Sequence, residues 1–140
     1  MEAPKEGKSF TLETSLEAAK KGSLGKWVNG FLEGIGNNPE LARGIRHHDQ
    51  RFIGPVLVPL KGLHRIAGPE REMKYSIPKE SWEKEVSAMR DLLSRGWKPP
   101  PLIVVDFFPK YNQLADGNRR HQALSQEGVS DYWVIFCSAD

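Results

Sequence analysis

Apolar positions recur along this chain with two different periods, and the changes between them divide it into elements. Leu24, Trp27, Val28, Phe31 and Leu32 fall three and four residues apart, which predicts a helix with one strongly apolar face. Similar spacing links Trp82, Val86, Met89, Leu92 and Leu93 and predicts a longer helix over 76–95, with Pro78 early in it and Gly96 at its end. Pro99-Pro100-Pro101 then blocks any restart. A shorter helix opens at Thr14-Ser15-Leu16-Glu17, read as a capping box, and stops at Gly22. Another begins where Asn38 caps and Pro39 takes the first helical position, with Leu41 and Ile45 on its inner side.

The period changes in the second half. Leu102-Ile103-Val104-Val105-Asp106-Phe107-Phe108 is a nearly continuous apolar run, rich in β-branched and aromatic residues, and predicts a central strand covered on both faces. Pro109-Lys110-Tyr111-Asn112 is a turn, and Gln113-Leu114-Ala115-Asp116 returns as a hairpin partner. Val56 to Leu60 is a short strand that Pro59 assigns to an edge or a strand end. A helix over about 118–127 closes at Gly128, and Tyr132-Trp133-Val134-Ile135-Phe136 is the last strand. The fold class is α+β: a flexible tail over 1–12, an N-terminal helical extension over 13–50, and a compact domain with a small mixed sheet over 51–140. The first third has too few apolar residues for its own core, so its helices are expected to cap the rest.

Composition narrows the function. At 140 residues the chain suits one domain with a real core, and its formal net charge of +2 supplies no field of the kind that holds nucleic acid. Any anion site must come from local arrangement. Cys137 is the only cysteine, which leaves no internal disulfide and no thiolate cluster, and its apolar neighbours place it in a strand. Neither a signal-peptide core nor a run of membrane-spanning length is present, so a cytoplasmic protein with no membrane partner is expected. His47-His48-Asp49 raises a metal question, but adjacent histidines diverge; they read as cations near a helix C-terminus, with Arg43 and Arg46 close by.

Candidate chemistry concentrates at Leu114-Ala115-Asp116-Gly117-Asn118-Arg119-Arg120-His121-Gln122-Ala123-Leu124. An apolar segment runs through a tight acidic-glycine turn into a helix whose first turn carries two arginines. Unpaired amides and the helix dipole favour an anion there, and guanidinium groups add planar donors suited to phosphate or carboxylate. Asp116 is read either as a cap or as a carboxylate holding Mg²⁺ against phosphates.

The order Val58-Pro59-Leu60, a loop dense in ionisable groups, a long helix ending in glycine, a proline-led strand, and Gly117-Asn118-Arg119-Arg120-His121-Gln122-Ala123 resembles the ParB N-terminal / sulfiredoxin-like fold over residues 54–137. In ParB partition proteins the matching stretch reads Gly-Glu-Arg-Arg-x-x-Ala and grips the phosphates of CTP; this chain has Asn118 in place of the glutamate and no helix-turn-helix after its last strand. Sulfiredoxins place their reactive cysteine where Asn118 stands, which disfavours sulfinic-acid reduction. Archaeal free-serine kinases have Asp-Gly-His-His-Arg, which Asp116-Gly117 and Arg120 match, with Arg119 in place of the second histidine. The segment Leu63 to Glu70, together with the N-terminal helices, also resembles bacterial proteins that carry ParB-like domains.

The resemblance and the residues together lead to the following expectations. Gly117, Asn118, Arg119, Arg120 and His121 hold the phosphates of ATP or CTP, with Arg120 as the clamp and His64 and Arg65 beside them. Asp116 binds Mg²⁺ or acts in catalysis, and Glu70 or Glu72 serves as base toward a small hydroxyl acceptor. Nucleotide-dependent phosphoryl transfer or hydrolysis ranks first. A non-catalytic nucleotide-binding switch, with homodimerisation as one form, ranks second. DNA binding or nuclease action ranks last.

Overall fold

The computed structural model describes residues 10–47, 50–105 and 112–139. The N-terminal tail through residue 9, His48 and Asp49, and the segment 106–111 with the expected turn lie outside the described residues.

Three helices come first: α1 (Leu12–Lys20), α2 (Leu24–Glu33) and α3 (Pro39–His47). The first starts a turn earlier than the sequence suggested. Thr11 is its cap, accepting from the Thr14 amide at 3.1 Å, while the Thr14 hydroxyl accepts from the Thr11 amide at 2.9 Å. A threonine at the third helical position thus does what glutamate does in the usual reciprocal cap. All five apolar positions of α2 are buried, and Asn38 caps α3 with its carbonyl to the Ala42 amide at 3.2 Å.

The sheet has strand order β1-β6-β4-β5, with β1 (Gln50–Pro59), β4 (Leu102–Val105), β5 (Leu114–Asp116) and β6 (Asp131–Ala139). The pairings β1–β6 and β4–β5 are antiparallel, and β4–β6 is parallel, so the sheet is mixed. As the apolar run implied, β4 is interior and all four of its residues are buried. β1 is an edge strand, but it is longer than the sequence suggested: the register shifts between Ile53 and Val56, and this irregularity absorbs Gly54-Pro55 without ending the pairing.

Between β1 and β4 lie a short 3₁₀ turn (Leu60–Gly62), the two-residue parallel pair β2 (Ala67–Gly68) and β3 (Tyr75–Ser76), and the long helix α4 (Lys79–Ser94). α4 begins three residues later than expected, because Tyr75 and Ser76 are in the β2–β3 pair and Pro78 is extended at ψ 135°. Trp82 and Val86 are buried, whereas Leu92 is 46% exposed. The inward stripe runs 82, 86, 89, 93, and residue 92 lies off it by about a hundred degrees. The last helix, α5 (Asn118–Gln126), packs beside α4.

Alternation along the strands feeds two cores. Ile103, Val105, Ala115, Ile135 and Cys137 face α1–α3, sharing one cluster with Trp27, Val28, Phe31 and Leu32. Leu102, Val104, Leu114 and Val134 face the other way, toward Leu60, Leu63 and Leu124. Each fully buried Leu, Ile or Val contributes about 1.5–3 kcal/mol, so this double covering supplies the main driving force. The observed class is therefore α+β with a four-stranded mixed sheet. Its consequence for function is positional: the N-terminal helices come down beside the junction of β5 and α5.

Candidate functional site at the tip of α5

β5 ends at Asp116, and Gly117 turns the chain into α5 with φ +100° and ψ 23°. A Cβ at Gly117 would stand 2.6 Å from the Leu102 side chain and 3.0 Å from the Arg120 guanidinium, so both conformation and space call for glycine. No side chain caps α5. Its first backbone bond runs from the His121 amide to the Gly117 carbonyl at 2.8 Å. The amides of Asn118, Arg119 and Arg120 precede that bond, where a helix has no acceptors of its own.

The side chains of this turn have separate duties. Asn118 points inward: its Oδ1 accepts from the Ile66 amide at 2.8 Å and the Ala67 amide at 3.2 Å, tying the loop before β2 to the helix. Arg120 is also buried. Its Nη1 donates to the Pro100 carbonyl at 2.6 Å and the Pro101 carbonyl at 2.9 Å, and its Nη2 donates to Asp116 Oδ2 at 2.8 Å. Asp116 Oδ1 accepts from the Asn38 amide group at 3.1 Å, which latches the N-terminal helices to the tip. The Tyr132 hydroxyl donates to the Pro99 carbonyl at 2.6 Å. Three proline carbonyls are thus satisfied by two side chains. Arg119 takes a different course: its Nε donates to Glu85, and its guanidinium lies 5.7 Å from the Trp82 ring centre.

Electrostatics follow burial. Burial pushes the Asp116 carboxyl above its ordinary value, and Arg120, Asn38 and Arg119 pull it back. Burial lowers Arg120 from the usual guanidinium range, against the upward pull of Asp116. The Tyr132 hydroxyl, buried beside the prolines, is pushed up to about 12 and stays a donor.

Two clefts open on either side of the tip and share Asp116, Gly117, Asn118 and Arg119 as walls. One, of about 360 Å³, lies toward α1 and α2 and is completed by Phe10, Phe31, Ile35, Trp97, Lys98 and Arg120 among others. The other, of about 440 Å³, lies toward α3 and β3 and is completed by Asn38, Glu40, Leu41, Ala67 and Tyr75 among others. Both volumes are of small-molecule size.

The remaining sequence candidates lie elsewhere. Glu70 is paired with Arg65 and lines a third, open groove between α4 and α5. The hydrogen bond from Arg65 holds its carboxyl below the usual range, with burial acting the other way. Arg65 donates to the Ala67 carbonyl at 3.1 Å and stacks 4.9 Å from the Trp82 ring centre. His64 is exposed, and its backbone joins Asn112 and Leu114 at 2.9 Å each. Glu72 is exposed on the same loop. His121 faces the 3₁₀ turn: its Nε2 donates to the Leu60 carbonyl at 2.8 Å, and its Nδ1 is buried and unpartnered among the described residues. Burial lowers its pKa, the Leu60 carbonyl raises it, and Arg65 and His64 lower it further.

The sequence pattern missed Asn38 as a partner of Asp116, and it missed Trp97 and Lys98 altogether. The tri-proline was a signal only for Arg120 and Tyr132, the donors to its carbonyls. A buried proline carbonyl needs a donor like any other, and here the donors are side chains.

A Mg²⁺ ion at Asp116 would have to share the carboxylate with a guanidinium and an amide, and the residues present do not fit it there. Among the described residues, no three His, Cys, Asp or Glu side chains converge to hold an ion. No helix among them is long and apolar enough to cross a membrane. Comparison of the chain with protein-family models, curated proteins and solved structures finds no match.

Proposed function

We propose that this protein binds a nucleotide, with the phosphates at the tip of α5, on a ParB/sulfiredoxin-like variant of the α+β fold. One observation carries the reading. The first-turn amides of α5 are uncapped by any side chain and stand between two clefts, with Arg119 and Lys98 on the walls. Oriented amides at a helix N-terminus favour phosphate, and half-exposed cations beside them add attraction without the cost of full burial. ATP and CTP are the candidate ligands. Any Mg²⁺ arrives on the nucleotide's own phosphates.

Binding ranks above phosphoryl transfer on the geometry. Transfer needs a base beside an acceptor hydroxyl. The carboxylates at the clefts are Asp116, whose two oxygens are held by Asn38 and Arg120, and Glu40, which stands exposed in the first turn of α3 with Arg43 3.9 Å away; Glu70 lines a different groove. A cytoplasmic switch that responds to nucleotide, with a second copy as partner, fits this reading.

The test is a thermal-shift panel of ATP, CTP, GTP and ADP with and without Mg²⁺, followed by a phosphate-release assay on whichever ligand binds. Ligands that bind only the native state raise Tm by mass action. A rise with a triphosphate and no phosphate release above background is the expected result. A flat panel overturns the proposal, and phosphate release above background restores the transfer reading.

A further inference from the structure

We infer that the cleft between the N-terminal helices and the tip of α5 is a ring-binding lobe, which takes the planar heteroaromatic part of the ligand while the phosphates stay at the tip. This rests on the nucleotide reading above and adds a place for the base. The lobe depends on α1 and α2, which also cover one face of the sheet.

Its lining includes Phe10 and Trp97, both partly buried, and Phe31, which is 4% exposed. Phe31 is stacked on Trp27 with ring centres 5.2 Å apart and planes 9° from parallel, and Phe10 meets both rings at 5.7 and 6.2 Å. The Arg120 guanidinium lies 5.4 Å from the Phe31 ring centre, so the ring is held by cation as well as by stack. Gly36 packs directly on that ring: a Cβ there would stand 2.7 Å from the Phe31 ring and 2.8 Å from its carbonyl. At the mouth, Ile35 is 57% exposed and Trp97 is half-buried, which leaves apolar surface uncovered next to the anion-favouring tip.

Ligand chemistry follows from this mixture. Flat rings gain from aromatic walls through stacked and edge contacts as well as through area. An alkyl chain would fill the same space but leave Thr11, Lys98 and Arg119, which also line it, facing hydrocarbon. A heteroaromatic ring offers polar edges to such groups. The second cleft is built differently, with Asn38, Glu40 and an exposed Tyr75 in place of the stacked floor. A base therefore goes to the first cleft.

The experiment is calorimetric titration of the whole chain with ATP, CTP and inorganic tripolyphosphate, in wild type and in Ile35→Ser, Trp97→Ala and Tyr75→Ala. Ile35→Ser changes an exposed, neutral position, and tripolyphosphate binding reports that each variant is folded. The expected result is a loss of about tenfold or more in nucleotide affinity in Ile35→Ser and Trp97→Ala, equivalent to about 1.4 kcal/mol, with tripolyphosphate unchanged. Nucleotide affinity that is unaffected by both variants, or that falls in Tyr75→Ala instead, overturns the lobe and leaves the phosphate site standing. Silence from tripolyphosphate and both nucleotides overturns the phosphate site itself, and the lobe with it.

Discussion

Arg119 and Arg120 are neighbours in the chain, sit in the same helical turn, and each meets a carboxylate. Their circumstances are opposite. The Arg120 and Asp116 side chains are 8% and 13% exposed, while those of Arg119 and Glu85 are 37% and 49% exposed. Successive helical residues diverge by about a hundred degrees, so one guanidinium turns under the tip and the other lies along its flank. The buried one is saturated, with Asp116 and two proline carbonyls as acceptors. The exposed one has a single carboxylate, which solvent and ions screen. In this turn burial has assigned one arginine to architecture and left its neighbour available to a ligand.

The largest expected effect comes from breaking the buried pair. Asp116→Ala leaves Arg120 charged with carbonyls alone and removes the acceptor for Asn38. Loss of one partner of such a pair costs about 3–5 kcal/mol, which a lowered urea midpoint at neutral pH will register. The double variant Asp116→Ala/Arg120→Met should lose less than the two single losses added together, because neither charge is then stranded. Strict additivity would mean that the two residues act independently, and the contrast between the two pairs would fail.

How much of this could be read from the chain depended on the range of the interaction. The five buried positions of α2, the interior placement of β4 and the edge placement of β1 all follow from local periodicity and from where proline lacks a donor. Gly117 was equally legible, because an acidic-glycine step between a strand and a helix demands a turn. The direction of the side chains in that turn was not. Arg120 reaches carbonyls twenty residues earlier in the chain, Asp116 is met by Asn38 from a helix cap, and Asn118 holds a loop that starts at Ile66. Each of these is decided by which apolar faces close over the sheet, and short-range spacing carries no record of that. Thr11 shows the same limit at one turn's distance: a Thr–Thr reciprocal cap lies outside the Ser/Thr-x-x-Glu/Gln pattern.

A smaller effect separates the two flanks of α5 by pH. His121 is held neutral against Leu60, with its pKa lowered by burial and with Arg65 and His64 nearby. The unfolded chain therefore takes up this proton first. The stability that His121 contributes is full above its unfolded value of about 6.5 and declines as pH falls through the folded value. Urea unfolding between pH 7.5 and 5 should show that decline in wild type and a flatter profile in His121→Gln. A wild-type profile no steeper than that of the variant would show that the ring is not held neutral.

The smallest effect on stability, and the sharpest probe of the contrast, comes from Glu85→Gln. An exposed ion pair is worth at most about 1 kcal/mol, so the urea midpoint should barely move. Anion affinity should respond more. Glu85 neutralises Arg119 and competes with any phosphate for it; once the carboxylate is gone, the guanidinium carries its full charge beside the tip. Unit charges 4 Å apart in water interact by about 1 kcal/mol, so tripolyphosphate should bind up to about fivefold more tightly at low ionic strength. The gain should shrink as salt rises, because the Debye length falls to about 8 Å at physiological ionic strength. Arg119→Ala should move affinity the other way with a similarly small change in stability. Weaker tripolyphosphate binding in Glu85→Gln would mean that Glu85 positions the guanidinium rather than competing for it. Arg119 would then be a fixed part of the fold, as Arg120 is, and burial alone would not separate the structural arginine from the available one.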